Sequence, residues 1–369
     1  MDGGGVEQLT LDVAAGVVKA GRASLVASRG GRLEGALEAS GARLIRLPVH
    51  SKNPLTMAAN AARLAAVIRR EAVSLIHVRS RAPAFSALSA ARATNIPLIA
   101  TYHGVYAARS ALKRWYNAIM TRGDMVIANS NFTAAHVIAE HGLSPQKVAV
   151  VPEGIDASRF SLAAVSPSRI AALREAWGLA PGERRFIVLF AARLTSLKGH
   201  AVLIEAMAGL EARERVLLIL AGEEGRRGYA TTLEAAVAVA GLGDQVRMVG
   251  PCDDMPAAYA ICDLVVAPSI APESFGRTVV EAGAMGRPVI ASAIGGTAET
   301  VIDGVTGWLA APGDAGAWRS ALALALSTPD DRLAAMGAAA RERVLRLYSL
   351  PAMCEATFRV YRGVLEGRA

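Results

Sequence analysis

Short apolar, β-branched runs alternate with amphipathic stretches of helical period along the whole chain, and this alternation constrains the fold more than any single motif. In the first half the runs are 23–28, 43–47, 74–78, 97–101, 124–128 and 147–151; in the second they are 186–191, 216–220, 245–249, 264–267 and 289–292. Strand followed by helix, repeated, is the order of βαβ units, whose strands lie parallel in one sheet. A polar stretch at 157–183 separates the two series and reads as a hinge. The prediction is an α/β chain of two Rossmann-like, doubly wound domains facing a cleft, residues 1–165 and 182–350. Beyond Ala315 the pattern is helical, and the last helix, 351–369, is expected to fold back on the first domain. One irregularity stands out. A doubly wound domain opens with a strand that feeds a glycine-rich turn, yet Gly3-Gly4-Gly5 begins two residues into the sequence. Two explanations fit: a native start further upstream, or a first sheet that lacks a strand from its middle.

With 369 residues and 53% hydrophobic content, the chain has material for two ordinary cores. No apolar run approaches the ~20 residues of a membrane-spanning helix, and the first residues lack the basic and apolar regions of a signal peptide. Three cysteines without C-x-x-C and six scattered histidines without H-E-x-x-H suggest neither a disulfide framework nor a metal site. A reducing cytoplasm is the expected location. The net charge of +8 is uneven: residues 1–165 carry 19 Lys/Arg against 10 Asp/Glu, the remainder 21 against 22. The basic half suits an anionic partner, or it reflects arginine-rich composition.

Chemistry gathers at predicted strand ends. Glu273 and Glu281 lie eight positions apart around Gly276, which opens a helix, between the runs at 264–267 and 289–292. Placed on a loop and about two turns into that helix, both carboxylates can face one ligand while the helix N-terminus faces a phosphate. A carboxylate accepts two hydroxyl donors at once, as a vicinal diol offers; the alternative is a helix-surface glutamate with a dipole-stabilising companion. Arg193 and Lys198 sit on the loop after 186–191, where two cations clamp a diphosphate or remain solvated. His103 ends another strand, as a sugar contact or a structural histidine. Gly3–Gly5 is either a phosphate-approaching loop or a loose terminus. Asn129 and the turn from Pro152 through Glu153 to Asp156 line the same edge, or serve as turns and caps.

Taken in order, Gly-Gly-Val-Glu (4–7), Tyr-His-Gly (102–104), Pro-x-Gly-Ile-Asp (152–156), Arg-Leu-x3-Lys-Gly (193–199), Ala-Gly-Glu (221–223) and Glu-Ser-Phe-Gly-x4-Glu (273–281) resemble the motifs of retaining GT-B glycosyltransferases of family 4, in particular bacterial lipopolysaccharide-core enzymes. The resemblance covers nearly the whole chain. It implies a hexose moved from a nucleotide-diphosphate sugar to a lipopolysaccharide or other cell-surface glycan, without a metal or cofactor. By the same resemblance Glu281 would hold the ribose, and Glu273 with the backbone of Phe275 and Gly276 the donor sugar and a phosphate. Arg193 and Lys198 would hold the diphosphate and His103 the sugar. Gly4 and Gly5 would close over the phosphates, and Gly222, Pro251 and Cys252 would border the nucleotide. Glu153 departs from the pattern, which commonly has asparagine there. The expected partners are a nucleotide-sugar donor and a glycan or lipid-linked acceptor. Lys113 and Arg114 beside Trp115 and Tyr116 suggest an anionic membrane surface, placing the protein peripherally on the inner face of the plasma membrane; a core helix with a basic outer face is the alternative. No nucleic-acid-binding motif or aromatic platform is evident, and G-x-G-x-x-G after a strand is lacking. A non-catalytic Rossmann-type or nucleic-acid-binding protein is the competing reading.

Overall fold

The computed structural model describes residues 4–106 and 110–367. The chain divides into two units, one running to Gly154 and resuming at Leu350, the other Ile155–Ser349. The division falls ahead of the polar stretch at which the sequence suggests a hinge. Phe160, Val165, Trp177 and Leu179 within or beside that stretch are buried in the second unit's core, and their apolar surface assigns it there.

In the first unit, β1 (Leu25–Ser28) and β2 (Arg43–Arg46) form a parallel pair. A separate parallel sheet runs β3 (Ile76–Val78), β4 (Leu98–Tyr102), β5 (Met125–Ala128) and β6 (Val148–Val150) in spatial order. Five of the six lie within the runs read from sequence, and β4 extends one residue past its run, to Tyr102. No pairing joins β1 to β3: between them is a cavity of about 420 Å³, lined by Leu25 to Arg29 on one side and Ile76 to Arg79 on the other. Among the described residues the two strand sets are thus separate, a gap that both explanations above expect. Parallel strands are normally covered on both faces; β4 is buried throughout, whereas every residue of β1 is half-buried. The closing helix, Leu350–Glu366, packs on the helix Gly5–Lys19. The approach is close enough that a Cβ on Gly16 would stand 2.7 Å from Cys354 Sγ. Leu9, Val13 and Met353 share a core with Ile99 and Ile127.

The second unit has one continuous parallel sheet. Its strands are β7 (Phe186–Ala191), β8 (Val216–Ala221), β9 (Val246–Gly250), β10 (Leu264–Ala267), β11 (Val289–Ser292) and β12 (Gly307–Ala310). They lie in the order β12-β11-β10-β7-β8-β9. Side chains alternate between two cores: Leu189, Ile219 and Val265 pack on one face, Val188, Leu218 and Val266 on the other. The sequence reading missed β12, a four-residue edge strand opening on Gly307, too short to show a period. The two units share a device. Asp124, ahead of β5, accepts the Leu98 N–H of β4 at 2.8 Å, and Asp263, ahead of β10, accepts the Ile187 N–H of β7 at 2.7 Å.

Candidate functional site

In the second unit the chain leaves β7 toward β8 and β9, and leaves β10 toward β11 and β12, while β7 and β10 themselves pair. This is a topological switch point, where the loops leaving two neighbouring strands diverge and open a crevice at their carboxyl ends. The loop after β7 brings Lys198 and the loop after β10 brings Glu273, and they form an ion pair, Nζ to Oε2, at 2.9 Å. Ser269 donates to the other carboxylate oxygen. Two glycines permit the approach. Gly199 has φ +84° and a Cβ there would stand 1.9 Å from Pro268 O; Gly276 has φ +95° and its Cβ would meet Thr297 Oγ1 at 2.9 Å.

Gly276 caps the helix Arg277–Ala284, and Glu281 lies just over one turn into it, nearer its start than the sequence reading places it. Tyr259 donates to Glu281 Oε2 at 3.0 Å and Arg277 Nε to Oε1 at 2.8 Å. Each oxygen keeps a lone pair for an incoming hydroxyl, and the two donors fix the carboxylate's plane. The Tyr259 hydroxyl is fully buried, and burial followed by the Glu281 charge holds its pKa well above the ordinary value; it is a permanent donor. The Phe275 side chain is buried edge-on against Tyr348, centroids 5.6 Å apart, and so belongs to the core beneath the loop.

Arg193 is exposed, its stem running beneath Gly225. Gly222 joins β7 to β8, since a Cβ there would stand 1.9 Å from Ala192 O, and its N–H donates to Gly250 O at 2.8 Å. Beyond Gly250, Pro251 is exposed and Cys252 half-buried. These residues form an outer rim one and two strands from the Lys198–Glu273 pair. Sequence reasoning missed three groups. Thr297 Oγ1, Ser292 Oγ and Arg277 Nη1 are buried without a hydrogen-bond partner among the described residues. Thr297 lines the same crevice as Lys198, Glu273 and Gly276, and an unpaired buried hydroxyl costs free energy until a ligand satisfies it. The Gly-Gly-Thr run at 295–297 was the available signal. A larger cavity, about 690 Å³, opens at the opposite edge, where β7, β10 and β11 begin; Glu183, Arg184 and Arg185 line it, and none of the predicted site residues reaches it.

The first unit gathers its polar residues in the same manner. His103 follows β4, Asn129 follows β5, Glu153 follows β6 and Arg79 follows β3, and all four line one small cavity. Glu153 Oε1 accepts from Asn129 Nδ2 at 3.0 Å and lies 3.4 Å from His103 Nδ1. Burial, with the Arg79 charge, lowers the pKa of His103 against the opposing pull of Glu153, so the ring is neutral at physiological pH. On β3, His77 bonds Thr101 Oγ1 and Tyr361 OH, each at 2.6 Å. Of this cluster the sequence singles out His103 as a sugar contact and Asn129 and Glu153 as edge-lining residues; Arg79, His77 and Tyr361 carry no motif. Gly5 is exposed, and the Gly4 N–H is already taken by Glu7 Oε2 at 2.9 Å, while Gly3 lies outside the described residues.

Two family models match: "Glycosyltransferase Family 4" over residues 3–159 and "Glycosyl transferases group 1" over 173–343. A glycosyltransferase from Rickettsia africae ESF-5, 32% identical, superposes with a TM-score of 0.89 over 98% of this chain and 95% of that one. Anabaena HepE, solved in complex with UDP and glucose, is 26% identical with a TM-score of 0.81, over 98% and 96% of the two chains. Among curated proteins, a D-inositol 3-phosphate glycosyltransferase from Segniliparus rotundus is 34% identical over 68% of this chain and 55% of its own length. A second from Catenulispora acidiphila is 35% identical over 67% and 58%. The chain spans little more than half the length of these curated relatives. Two parallel α/β units, a cation–carboxylate pair at a switch point, and matches along both halves lead to one assignment: the chain belongs to the group 1, family 4 glycosyltransferases and has their GT-B fold.

Proposed function

We propose that the protein transfers a hexose from a nucleoside-diphosphate sugar to a hydroxyl of a glycan or lipid-linked acceptor, with retention of configuration. The observation that carries this reading is the Lys198–Glu273 pair at the β7/β10 switch point, set beside a helix N-terminus and the unsatisfied Thr297 hydroxyl. With donor bound, Glu281 accepts the ribose hydroxyls and Glu273 those of the hexose. Lys198 and Arg193 neutralise the diphosphate as the bond from sugar C1 to phosphate oxygen breaks, and this charge stabilisation lowers the barrier. The acceptor oxygen bonds to C1 from the same face, and its proton passes to the departing phosphate oxygen. HepE's UDP favours a uracil nucleotide. The acceptor is a lipopolysaccharide-type or other cell-surface glycan; the curated relatives' names add inositol phosphate as a second acceptor to assay. Incubation with UDP-glucose and each acceptor, with product anomers assigned by NMR, is expected to give an α-linked product from the α-linked donor. An inverted product overturns retention, and absence of both transfer and UDP binding overturns the donor reading.

The membrane surface belongs to the same proposal. In the short helix Ala111–Asn117, Leu112 is 75% and Trp115 51% exposed, next to Lys113 and Arg114, while Ile119 and Met120 downstream turn into the core. Apolar tips among cations suit an anionic leaflet. Flotation with anionic vesicles should be lost on Lys113→Glu with Arg114→Glu; unchanged flotation removes the membrane role.

A further inference from the structure

Glu153 sits at the centre of the first unit's polar cluster, and the structure shows what it touches. Its Oε1 is held by Asn129 and sits beside His103 Nδ1, with the His103 and Glu153 side chains only 7% and 15% exposed. Arg79 is half-buried on the loop leaving β3 and interacts with both Glu153 and Tyr361. The titratable groups around the ring are therefore Arg79 and His77 from β3 and its exit, Tyr106 from the loop after β4, Glu153 after β6, and Tyr361 from the closing helix behind Arg79.

A neutral imidazole carries one N–H, and a neighbouring carboxylate stabilises the tautomer that donates to it. We propose that Glu153 is a positioning residue for the transfer reaction: it holds His103 as the Nδ1–H tautomer, so that Nε2 is a hydrogen-bond acceptor and the ring selects a sugar hydroxyl over a carbonyl or phosphate oxygen. Asn129 fixes the Glu153 rotamer from the other side, and the half-buried Arg79 balances its charge. The sugar contact rests on the transfer reading above; the tautomer is a property of the chain alone.

The test combines nitrogen-15 NMR of the His103 ring in the full chain with pH profiles of kcat/KM for the native protein, Glu153→Gln and Glu153→Ala. The native ring should show a protonated Nδ1 and a bare Nε2. Glu153→Gln keeps an acceptor oxygen and should retain the tautomer with most of the activity. Glu153→Ala should lose the tautomer preference and up to about 100-fold in kcat/KM, the scale of a misplaced reacting group. The Glu153 carboxylate favours the imidazolium, so in both variants the acid limb should move to lower pH. A bare Nδ1 in the native ring, or a Glu153→Ala protein with unchanged tautomer and acid limb, overturns the proposal, as does a changed tautomer with unchanged kcat/KM. A native protein that shows the Nδ1–H tautomer but transfers nothing refutes the transfer reading and leaves the tautomer standing.

Discussion

The two units meet the same topological problem with opposite results. In the second, the strands that flank the switch point, β7 and β10, pair directly, and the loops leaving them are drawn together by Gly199 and the Lys198–Glu273 pair. In the first, β1 and β3 stand where the chain reverses direction but are separated by the 420 Å³ cavity. Its polar cluster is instead assembled from four consecutive strand exits, those of β3 to β6. A continuous switch point preorganises a cation and a carboxylate against each other. An interrupted one leaves two parallel edges with unpaired backbone, an arrangement that parallel sheets ordinarily avoid.

The largest effect expected from this contrast is that of Gly199→Ala. Its Cβ would collide with Pro268 O in a left-handed conformation, so the second unit should lose on the order of 3 kcal/mol of stability together with nucleotide binding. A variant that melts and binds as the native chain does would show that continuity across β7 and β10 does not organise the site. Acid should weaken both units. Burial pushes the His200 pKa down to about 4 from 6.5, so the unfolded chain takes up a proton first. Stability is intact above pH 6.5 and falls progressively toward pH 4, by up to about 3 kcal/mol. The first unit has His77 and His103 lowered in the same sense and should lose its cooperative transition at the higher pH; denaturant titrations from pH 7 to 4 with a probe in each unit would reverse the comparison if the second unit failed first.

Smaller effects compare the shared device. Asp124→Ala and Asp263→Ala each leave a strand N–H without its acceptor and should cost about 1–3 kcal/mol, each in its own unit, as read by thermal unfolding. Equal losses would show that β4–β5 and β7–β10 are equivalent joints; a negligible loss in Asp124→Ala would mean that the interrupted sheet does not depend on its remaining pairings. The finest test is hydrogen exchange. Amides of β1 and β3 should exchange faster than those of β7 and β10, and equal protection would mean that the cavity is closed in solution.

Period and turn chemistry made most of this legible in the sequence. Eleven of the twelve strands among the described residues announced themselves as β-branched runs, and β12 escaped because four residues opening on glycine carry no alternation. The gap between β1 and β3 was signalled by one observation, a glycine-rich turn with no strand ahead of it in the sequence, which left open an upstream start or a missing strand. At the site, Lys198 and Glu273 could be named from their loops, but their direct pairing depends on which strands are neighbours, and strand order is not written locally. Thr297 and Tyr259 were hidden for the same reason: each is an ordinary residue in its own segment and acquires a role only across the sheet. At Gly4 the sequence did not show that Glu7, three residues on, reaches back to the amide, a local competitor for the expected phosphate.

The central claim is that the second unit holds a nucleoside diphosphate at its switch point. A thermal-shift titration of the full chain against UDP, GDP, ADP and CMP, with Glu281→Ala and Lys198→Ala beside it, tests this most directly. Stabilisation by a nucleoside diphosphate, UDP foremost, is expected, with affinity reduced by roughly 1.5–3 kcal/mol in Glu281→Ala and reduced also in Lys198→Ala. Stabilisation by none of the four, or equal stabilisation of native and variant chains, would contradict it.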